Sequence, residues 1–419
     1  MLLKLASKVT VAVLLASWLG VMHPGRAQQK QWKDRAEYDL FEAARKEADP
    51  KKKLDALNTW KQKYPATDFE EERLLLFTQT YQQLGDAAQM YDSAAALLQK
   101  NPNNIQGLYF LTSLTTSMGD TAPAKLANGE KYAKALLAAI GTLKKPDNMA
   151  DEAWNRELDA LRVVAHTTLG WVAMQRKNNT AAEEEFRRVL KMNPNNGQVS
   201  FWLGTVILAQ RDPDKQSEAF FHFARAGHYS GEGAMPPAGR KQVADYLTKI
   251  YTTFHGDESG LADLVSMAQK SAFPPPGLKI KSKEEIAFEK EEELKRKDPE
   301  LALWLNLKRL LTGPDGENYF TNSMRNTKVT GLRGYLMSAT PADRPNTLVL
   351  ALSDRSGPGE ITLVLDEPFR YSAPRGTTIR FEGIAKSFTR QPFMLTFDAE
   401  QSSIQGWPPP PTRRPPTKK

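Results

Sequence analysis

Histidines and carboxylates are the residues with which this chain could perform acid–base or metal chemistry, and their spacing predicts neither. The chain has only five histidines among 419 residues. His166 and His222 lie within helical segments, where packing is the expected role, while His228 and His255 stand at loop edges without a second ligand nearby in sequence. The carboxylates fall mostly on charged helix faces, so no pair is placed for general acid–base catalysis.

The sequence motifs of the common catalytic sites are also missing. There is no His-Glu-x-x-His, no Gly-x-Ser-x-Gly, no glycine-rich phosphate loop ending in Lys-Ser/Thr and no calcium-loop pattern. The chain contains no cysteine, which excludes disulfides, thiolate metal sites and cysteine nucleophiles. We therefore predict a protein that is not an enzyme and that uses no cofactor or metal.

The segment 163–196 predicts two helices that pack closely against each other. Its first half contains Leu169 and Gly170, and its second half carries Ala182 and Phe186 at helical spacing. Small residues allow the two backbones to approach, and Phe186 fills the space between them. Pro194 ends the second helix because a proline cannot continue it.

The same pattern recurs along the chain. A second Leu-Gly pair follows 34 residues later at Leu203-Gly204, and the Asn-Pro-Asn-Asn turn at 193–196 has a twin at 101–104. The pattern resembles the tetratricopeptide repeat (TPR), a helical hairpin of 34 residues with Leu-Gly, Ala, Phe and Pro at these positions. We predict about five units, bounded at 37–70, 71–104, 105–162, 163–196 and 197–227. The resemblance implies an all-α solenoid over residues 37–227, of an exported bacterial type with a C-terminal β-domain.

The resemblance also implies which residues line the concave groove: positions 2, 5, 9 and 12 of each first helix. Those expected to contact a partner are Gln79, Gln82, Gln106, Tyr109, Trp171, Met174, Gln198 and Phe201. TPR modules that clamp a peptide carboxylate use Lys, Arg and Asn at such positions, and these are missing here. Amides beside aromatic residues favour an extended peptide or an apolar helix. The alternative is that the three aromatic residues pack between neighbouring units.

The net charge of +8 is concentrated at the two ends of the chain. Three cations without acids lie in residues 1–27, and four lie in residues 408–419, which leaves the remainder near +1. A nucleic-acid partner is therefore not expected. The proline-rich tail 408–419 is predicted to be disordered, and its cations could touch an anionic envelope surface or an acidic partner.

Residues 1–27 predict a secretory signal peptide. Lys4 and Lys8 precede the apolar run 9–22, and small residues lead to Ala27, after which we expect cleavage. The protein would then be periplasmic or secreted. The apolar run is shorter than the ~20 residues of a spanning helix, and an uncleaved N-terminal membrane anchor is the alternative. Residues 28–36 form a short lead into the repeats.

Three further segments follow the repeats. Residues 228–272 predict capping helices over 237–254 and 257–271, the second with Asp257 as its N-cap. Residues 273–312 predict two linker helices, the first opened by a Ser282–Glu285 capping box.

Residues 313–407 predict a β-domain, because apolar residues alternate there with period two. About five short strands predict a small antiparallel barrel or sandwich, with an oligonucleotide/oligosaccharide-binding (OB) barrel as a further option.

Together these features predict a multi-domain α + β chain that acts as a non-catalytic protein–protein interaction scaffold or assembly factor of the bacterial cell envelope. Its partner would be a protein or peptide held in the TPR groove. The alternative function is glycan or polymer binding by the β-domain, with the repeats as a spacer. Exposed aromatic residues near Phe381, Phe388 and Phe393 would favour that alternative, whereas their burial in a core would not.

Overall fold

The computed structural model describes residues 30–410, so the predicted signal peptide and residues 411–419 of the predicted tail lie outside the described residues. The described chain forms two compact units that divide between Ile280 and Lys281. No helix within residues 30–410 is both long enough and apolar enough to cross a membrane.

The part of the first unit that the structure describes is helical throughout. Its helices are α1 Arg35–Lys46, α2 Pro50–Lys63, α3 Glu70–Leu84, α4 Ala87–Lys100, α5 Ile105–Met118, α6 Pro123–Ile140, α7 Asp151–Gln175, α8 Asn179–Met192, α9 Gly197–Ala209, α10 Gln216–His228, α11 Pro237–His255 and α12 Leu261–Lys270. Five hairpins pair α1 with α2 through α9 with α10, and the second helix of each hairpin packs on the first helix of the next. The predicted helical solenoid is therefore confirmed.

Both Asn-Pro-Asn-Asn turns work by the same hydrogen bonds. The first asparagine closes the preceding helix, since the backbone N–H of Asn193 donates to the carbonyl oxygen of Val189 at 2.7 Å. The last asparagine opens the next helix, since Asn196 Oδ1 accepts the backbone N–H of Val199 at 3.0 Å. Equivalent bonds form at 101–104. One four-residue sequence thus ends one hairpin and begins another.

Close helix contact inside the fourth hairpin depends on Gly170. A Cβ atom at this position would lie 2.6 Å from Cε1 of Phe186, a residue that is fully buried. Gly204 plays the same part in the fifth hairpin, where a Cβ atom would lie 3.1 Å from the carbonyl oxygen of Ala219. These contacts agree with the packing that the sequence predicted for the glycine, alanine and phenylalanine positions.

The boundary of the third hairpin differs from the predicted unit 105–162. Helix α6 ends at Ile140, and α7 already begins at Asp151, so residues 151–162 extend the first helix of the following hairpin. Leu158 and Leu161 are buried in the cluster that joins α7 to α6. The apolar stripe of residues 151–162 continues without a break into the predicted repeat that begins at residue 163. Residues 151–162 therefore form the first turns of α7.

Helices α11 and α12 both pack on α10, the second helix of the last hairpin. Their bounds agree closely with the two helices expected there. The predicted N-cap is wrong, however: Asp257 Oδ1 accepts the backbone N–H of Ser259 at 2.8 Å, and α12 starts at Leu261 after Gly260. The carboxylate thus stabilises the turn before the helix rather than the helix itself.

A buried arginine connects these last helices. Arg225 on α10 is 3% exposed, and its guanidinium donates to the carbonyl oxygens of Pro194 and Ala268, both at 2.8 Å. It also donates to Asn195 Oδ1 at 3.1 Å and lies over the ring of Tyr229. One side chain therefore ties the turn before α9 to the end of α12.

The second unit begins with helices and continues as a β-barrel. Its elements are α13 Lys283–Lys297, α14 Pro299–Thr312, α15 Gly316–Tyr319, β1 Lys328–Thr340, β2 Thr347–Ala351, β3 Ile361–Leu365, β4 Thr378–Arg390 and β5 Phe393–Ala399. The predicted capping box of α13 is present, with Ser282 Oγ accepting the N–H of Glu285 at 3.1 Å and the Glu285 carboxylate accepting the N–H of Ser282 at 2.8 Å.

The five strands close into a barrel in the order β1-β2-β3-β5-β4, with β4 returning to β1. All neighbours are antiparallel except β3 and β5, which run parallel. Most of the alternating apolar residues are buried, including Leu348, Leu350, Ile361 and Leu363, whereas Phe393 is half-buried. The structure thus confirms a small closed barrel at the C-terminus.

The barrel core also includes a helix that the sequence analysis placed outside the β-domain. Trp304, Leu307 and Leu311 of α14 are buried in the same apolar cluster as the strands. The predicted separation of linker helices at 273–312 from a β-domain at 313–407 therefore differs from the observed division after Ile280. The physical reason is that α14 buries its apolar face against the barrel.

A buried carboxylate fixes α14 to the barrel. Glu360, 4% exposed, accepts hydrogen bonds from Lys308 Nζ on α14 at 2.5 Å and from the Ser353 hydroxyl at 2.5 Å. It also accepts the backbone N–H groups of Leu352 and Ser353. Burial opposes ionisation, but these donors together hold the pKa of Glu360 below its ordinary value.

Candidate functional site

The predicted groove lies on the first helices of the hairpins, and we call its residues the groove face. These are Glu72, Leu75, Gln79 and Gln82 on α3; Gln106, Tyr109, Ser113 and Thr116 on α5; Val164, Thr167, Trp171 and Met174 on α7; and Gln198, Phe201, Thr205 and Leu208 on α9. Within each helix the four positions are spaced by three or four residues, which places them on one side of that helix.

Three of the first helices pack on one another, α5 on α7 and α7 on α9. A hydrogen bond from Thr168 Oγ1 to the carbonyl oxygen of Thr112, 3.0 Å long and buried, joins α5 to α7 directly. The first helices of the third, fourth and fifth hairpins thus lie side by side. The helical unit is a TPR-like solenoid. Its groove face accordingly runs across consecutive hairpins rather than along a single helix.

The glutamines of the groove face are available for hydrogen bonding. Gln79, Gln82, Gln106 and Gln198 are all half-buried. Within the described part of the chain, none of their side-chain amides donates or accepts an intramolecular hydrogen bond. Each amide carries both donors and an acceptor, so the four together can pair with the backbone of an extended peptide.

Two aromatic residues of the groove face keep part of their surface in solvent. Tyr109 is half-buried beside Phe110, with 5.6 Å between ring centroids, and burial raises the pKa of its hydroxyl above the ordinary value. Phe201 is half-buried with its ring edge-on to Phe223 at 6.0 Å. Both rings are therefore held by neighbours and still expose part of their surface to solvent.

Trp171 differs from these two rings because it is only 6% exposed. It packs with Leu126 of α6, and Met174 and Trp202 border the same apolar cluster. Its role is therefore packing between hairpins, while Met174 stays half-buried at the surface. Trp202 was not among the predicted groove residues, and its one signal in the sequence was its position directly after Phe201.

The groove face is nearly free of charge. Glu72 is the one residue among its sixteen positions with a charged side chain, and its carboxylate pairs with Lys30 Nζ at 2.7 Å. The face therefore offers no positive charge to a terminal carboxylate of a peptide. Burying an unpaired charge against this face would be costly.

Two histidines of the helical unit are held in structural contacts. His166 Nδ1 lies 2.5 Å from Glu185 Oε2, which joins α7 to α8. His222 is fully buried on α10 and lies 3.4 Å from Glu218. Among residues 30–410, no group of three or more His, Cys, Asp or Glu side chains is arranged to hold a metal ion.

Aromatic residues of the barrel do not form an exposed platform. Phe381 is 3% exposed and lies in the barrel core. Phe388 and Phe393 are half-buried and pack against that core, Phe388 with its ring 5.0 Å from Phe320. These are the residues whose exposure would have favoured glycan binding.

Comparison with known proteins gave matches only among solved structures. No family model matches the chain, and no curated protein matches it. The chain is similar in structure to TTC0263, a thermophilic TPR protein of Thermus thermophilus, with a TM-score of 0.29 at 16% identity over 51% of this chain and 96% of that one.

It is also similar to PilF of Pseudomonas aeruginosa, with a TM-score of 0.34 at 13% identity over 63% of this chain and 91% of that one. The assembly chaperone of RpL4, Acl4, gives 0.39 at 14% identity, over 62% of this chain and 99% of that one. The hairpin packing described above is what assigns the fold.

Proposed function

We propose that this protein is a non-catalytic scaffold or assembly factor of the bacterial cell envelope. It would hold an extended peptide or an apolar helix of a partner protein on the groove face. The observation that carries the proposal is the set of four amide side chains without intramolecular partners, interspersed with the half-buried rings of Tyr109 and Phe201. Free amides supply hydrogen bonds, and rigid rings supply contact area at a low entropic cost.

The envelope location in this proposal is supported by the signal-peptide pattern of residues 1–27. Fractionation of cells that express the full chain tests it. We expect the protein in the periplasmic or secreted fraction, with a mass that corresponds to cleavage after Ala27. A full-length protein in the cytoplasmic fraction would contradict the location.

Partner binding is tested in two steps. Proteins captured from envelope extract by the chain from residue 28 onward are identified, and the affinity of the purified partner is then measured by calorimetry. The groove variant is Gln106→Glu with Gln198→Glu, which places two charges on the uncharged face. The matched control is Gln83→Glu with Gln99→Glu, two exposed glutamines outside that face.

We expect the groove variant to weaken partner binding at least tenfold, because each new carboxylate must be desolvated on binding. The control variant should change the affinity less than twofold. Equal affinities of the two variants would show that the partner binds elsewhere. Circular dichroism of both variants checks that the helices are intact.

A further inference from the structure

The wall of the barrel contains a pocket that the groove does not involve. Its volume is about 390 Å³. It lies where the ends of β3 and β5 meet the middle of β4, and it is lined by Lys328, Val364, Leu365, Asp366, Glu382, Gly383, Ile384, Asp398, Ala399, Glu400 and Ser403. We call it the wall pocket.

The wall pocket has an apolar floor. Val364 on β3 and Ile384 on β4 are each 39% exposed, although the outward positions of a solvated barrel are usually polar. Both lie next to the same residue of β5, since Val364 and Ile384 are each in register with Asp398. Two aliphatic side chains thus flank a carboxylate on the outer surface.

The rim of the wall pocket is negatively charged. Asp366, Glu382, Asp398 and Glu400 contribute four carboxylates, against one lysine in the lining. Lys328 neutralises Glu382 at 2.6 Å, and Lys386 outside the lining lies 3.1 Å from Asp398. The excess negative charge, together with the aliphatic floor, suits a cation on an apolar stem, as in an arginine side chain.

A segment of this chain with that chemistry starts close to the pocket. Trp407 stacks on Phe369 with 3.9 Å between ring centroids, and the Tyr371 hydroxyl donates to the carbonyl oxygen of Pro408 at 3.0 Å. Residues 411–419, Pro-Thr-Arg-Arg-Pro-Pro-Thr-Lys-Lys, follow with four cations and no acid.

The tail is long enough to reach the pocket. Phe369 is three residues from Asp366, at most about 10 Å of extended chain. Arg413 is six residues beyond Trp407, a contour of at most about 22 Å, to which the arginine side chain adds its own length. Proline also restricts the free chain, so docking costs little conformational entropy.

We propose that residues 411–419 of this chain dock in the wall pocket, with the stem of Arg413 or Arg414 on Val364 and Ile384 and its guanidinium at Asp398 and Glu400. The barrel is then an interaction surface for a proline-rich basic segment, and its own tail is the occupant. Because the tail is tethered at Trp407, its effective concentration at the pocket is on the order of millimolar, and a weak contact suffices to fill it.

Methyl NMR of the chain from residue 28 onward tests the proposal, by comparison with a variant that ends at Pro410. We expect the methyl resonances of Val364 and Ile384 to differ between the two chains. A peptide of residues 408–419 added to the shortened chain should move them back. The double substitution Asp398→Asn with Glu400→Gln should lower the affinity for this peptide at least tenfold. The exposed control pair Asp343→Asn with Glu317→Gln should change that affinity less than twofold.

Identical Val364 and Ile384 resonances in the two chains would overturn the proposal, and so would equal peptide affinity for the pocket and control variants. Resonances that depend on protein concentration would identify a second copy as the source of the tail and would overturn docking within one chain. Tail-dependent binding to phosphatidylglycerol vesicles without any change at the two methyl groups would assign the tail to a membrane surface instead. Thermal unfolding of each variant checks that the barrel is folded.

Discussion

The guanidinium of Arg225 donates two hydrogen bonds to the carbonyl oxygen of Pro194, from Nη2 at 2.8 Å and from Nε at 3.2 Å. These two residues are 31 positions apart in sequence. The bonds connect the turn that precedes α9 to the last turn of α10, and the bond to Ala268 extends the connection to α12. A charged side chain therefore stabilises the end of the solenoid from its interior.

Replacing this arginine should destabilise the helical unit strongly. Arg225→Met keeps an apolar stem but leaves the carbonyl oxygens of Pro194 and Ala268 without these donors, and we expect a loss of roughly 3 kcal/mol in the free energy of unfolding. Urea denaturation followed by circular dichroism measures it. Arg156→Met, at an exposed position of α7, is the control and should change stability by less than about 0.5 kcal/mol. Equal losses of unfolding free energy in the two variants would show that the hydrogen bonds of Arg225 do not stabilise the helical unit.

The contact between Gly170 and Phe186 predicts a second effect on stability. Gly170→Ala would place a methyl group 2.6 Å from the Phe186 ring, and we expect a loss of about 1–3 kcal/mol from overpacking. Gly141→Ala is the control, because the nearest atom to its new methyl group lies at an ordinary 3.4 Å. Urea midpoints compare the two variants. A Gly170→Ala protein as stable as the control would contradict close packing of α7 on α8.

The buried histidine predicts a loss of stability in acid. Burial lowers the pKa of His222, while Glu218 opposes the shift and the charges of Arg187 and Arg225 add to it. The unfolded chain therefore binds a proton near pH 6.5, its ordinary value, that the folded chain binds only at lower pH. Stability should be full above about pH 6.5 and should fall as the pH drops below it.

Glu218 adds a second acid-sensitive range. Burial raises its pKa, but hydrogen bonds from His222 and Arg187 outweigh this and hold the pKa at about 2, below the ordinary 4.5. The contribution of Glu218 to stability is present above pH 4.5 and is lost between pH 4.5 and about 2.

Unfolding free energies measured at several pH values test the ranges predicted for His222 and for Glu218. The variant His222→Leu should have a smaller pH dependence between about pH 7 and 5, and an unchanged dependence would exclude His222 as the titrating group.

Removal of the buried carboxylate should loosen the barrel from its helix. Glu360→Ala leaves Lys308 without its partner and several buried N–H and O–H donors without an acceptor, and we expect a loss of roughly 3–5 kcal/mol in the second unit. Hydrogen exchange measured on α14 and β2 reports the local effect. Glu317→Ala, at an exposed position, is the matched control. Unchanged protection in Glu360→Ala would show that the carboxylate does not anchor the helix.

The repeat elements could be predicted because their signals are local. The two Asn-Pro-Asn-Asn turns, the capping box at Ser282 and the period-two pattern of the strands each depend on residues a few positions apart. The start of α7 could not be predicted, because the 34-residue phase assigned residues 151–162 to the previous hairpin while the apolar stripe continued across that boundary.

Prediction of the candidate site was limited by contacts between distant segments. The groove positions follow from repeat spacing, yet Trp171 occupies one of them and is buried because its ring meets Leu126 on another helix. No local sequence pattern marks Arg225 or Glu360 as buried, since their partners lie on other helices or strands. The wall pocket was missed because Val364, Ile384 and Asp398 come together only when the barrel closes.

The barrel core includes Trp304, Leu307 and Leu311, which precede the first strand. Any fusion protein that carries the barrel must therefore include these residues. A gene fusion joined at residue 313 would deliver strands that lack three of the large side chains filling their interior, and we expect an aggregating product. A junction at residue 281 would carry the whole hydrophobic unit. The fragment suitable for fusion therefore begins with the helices that precede β1.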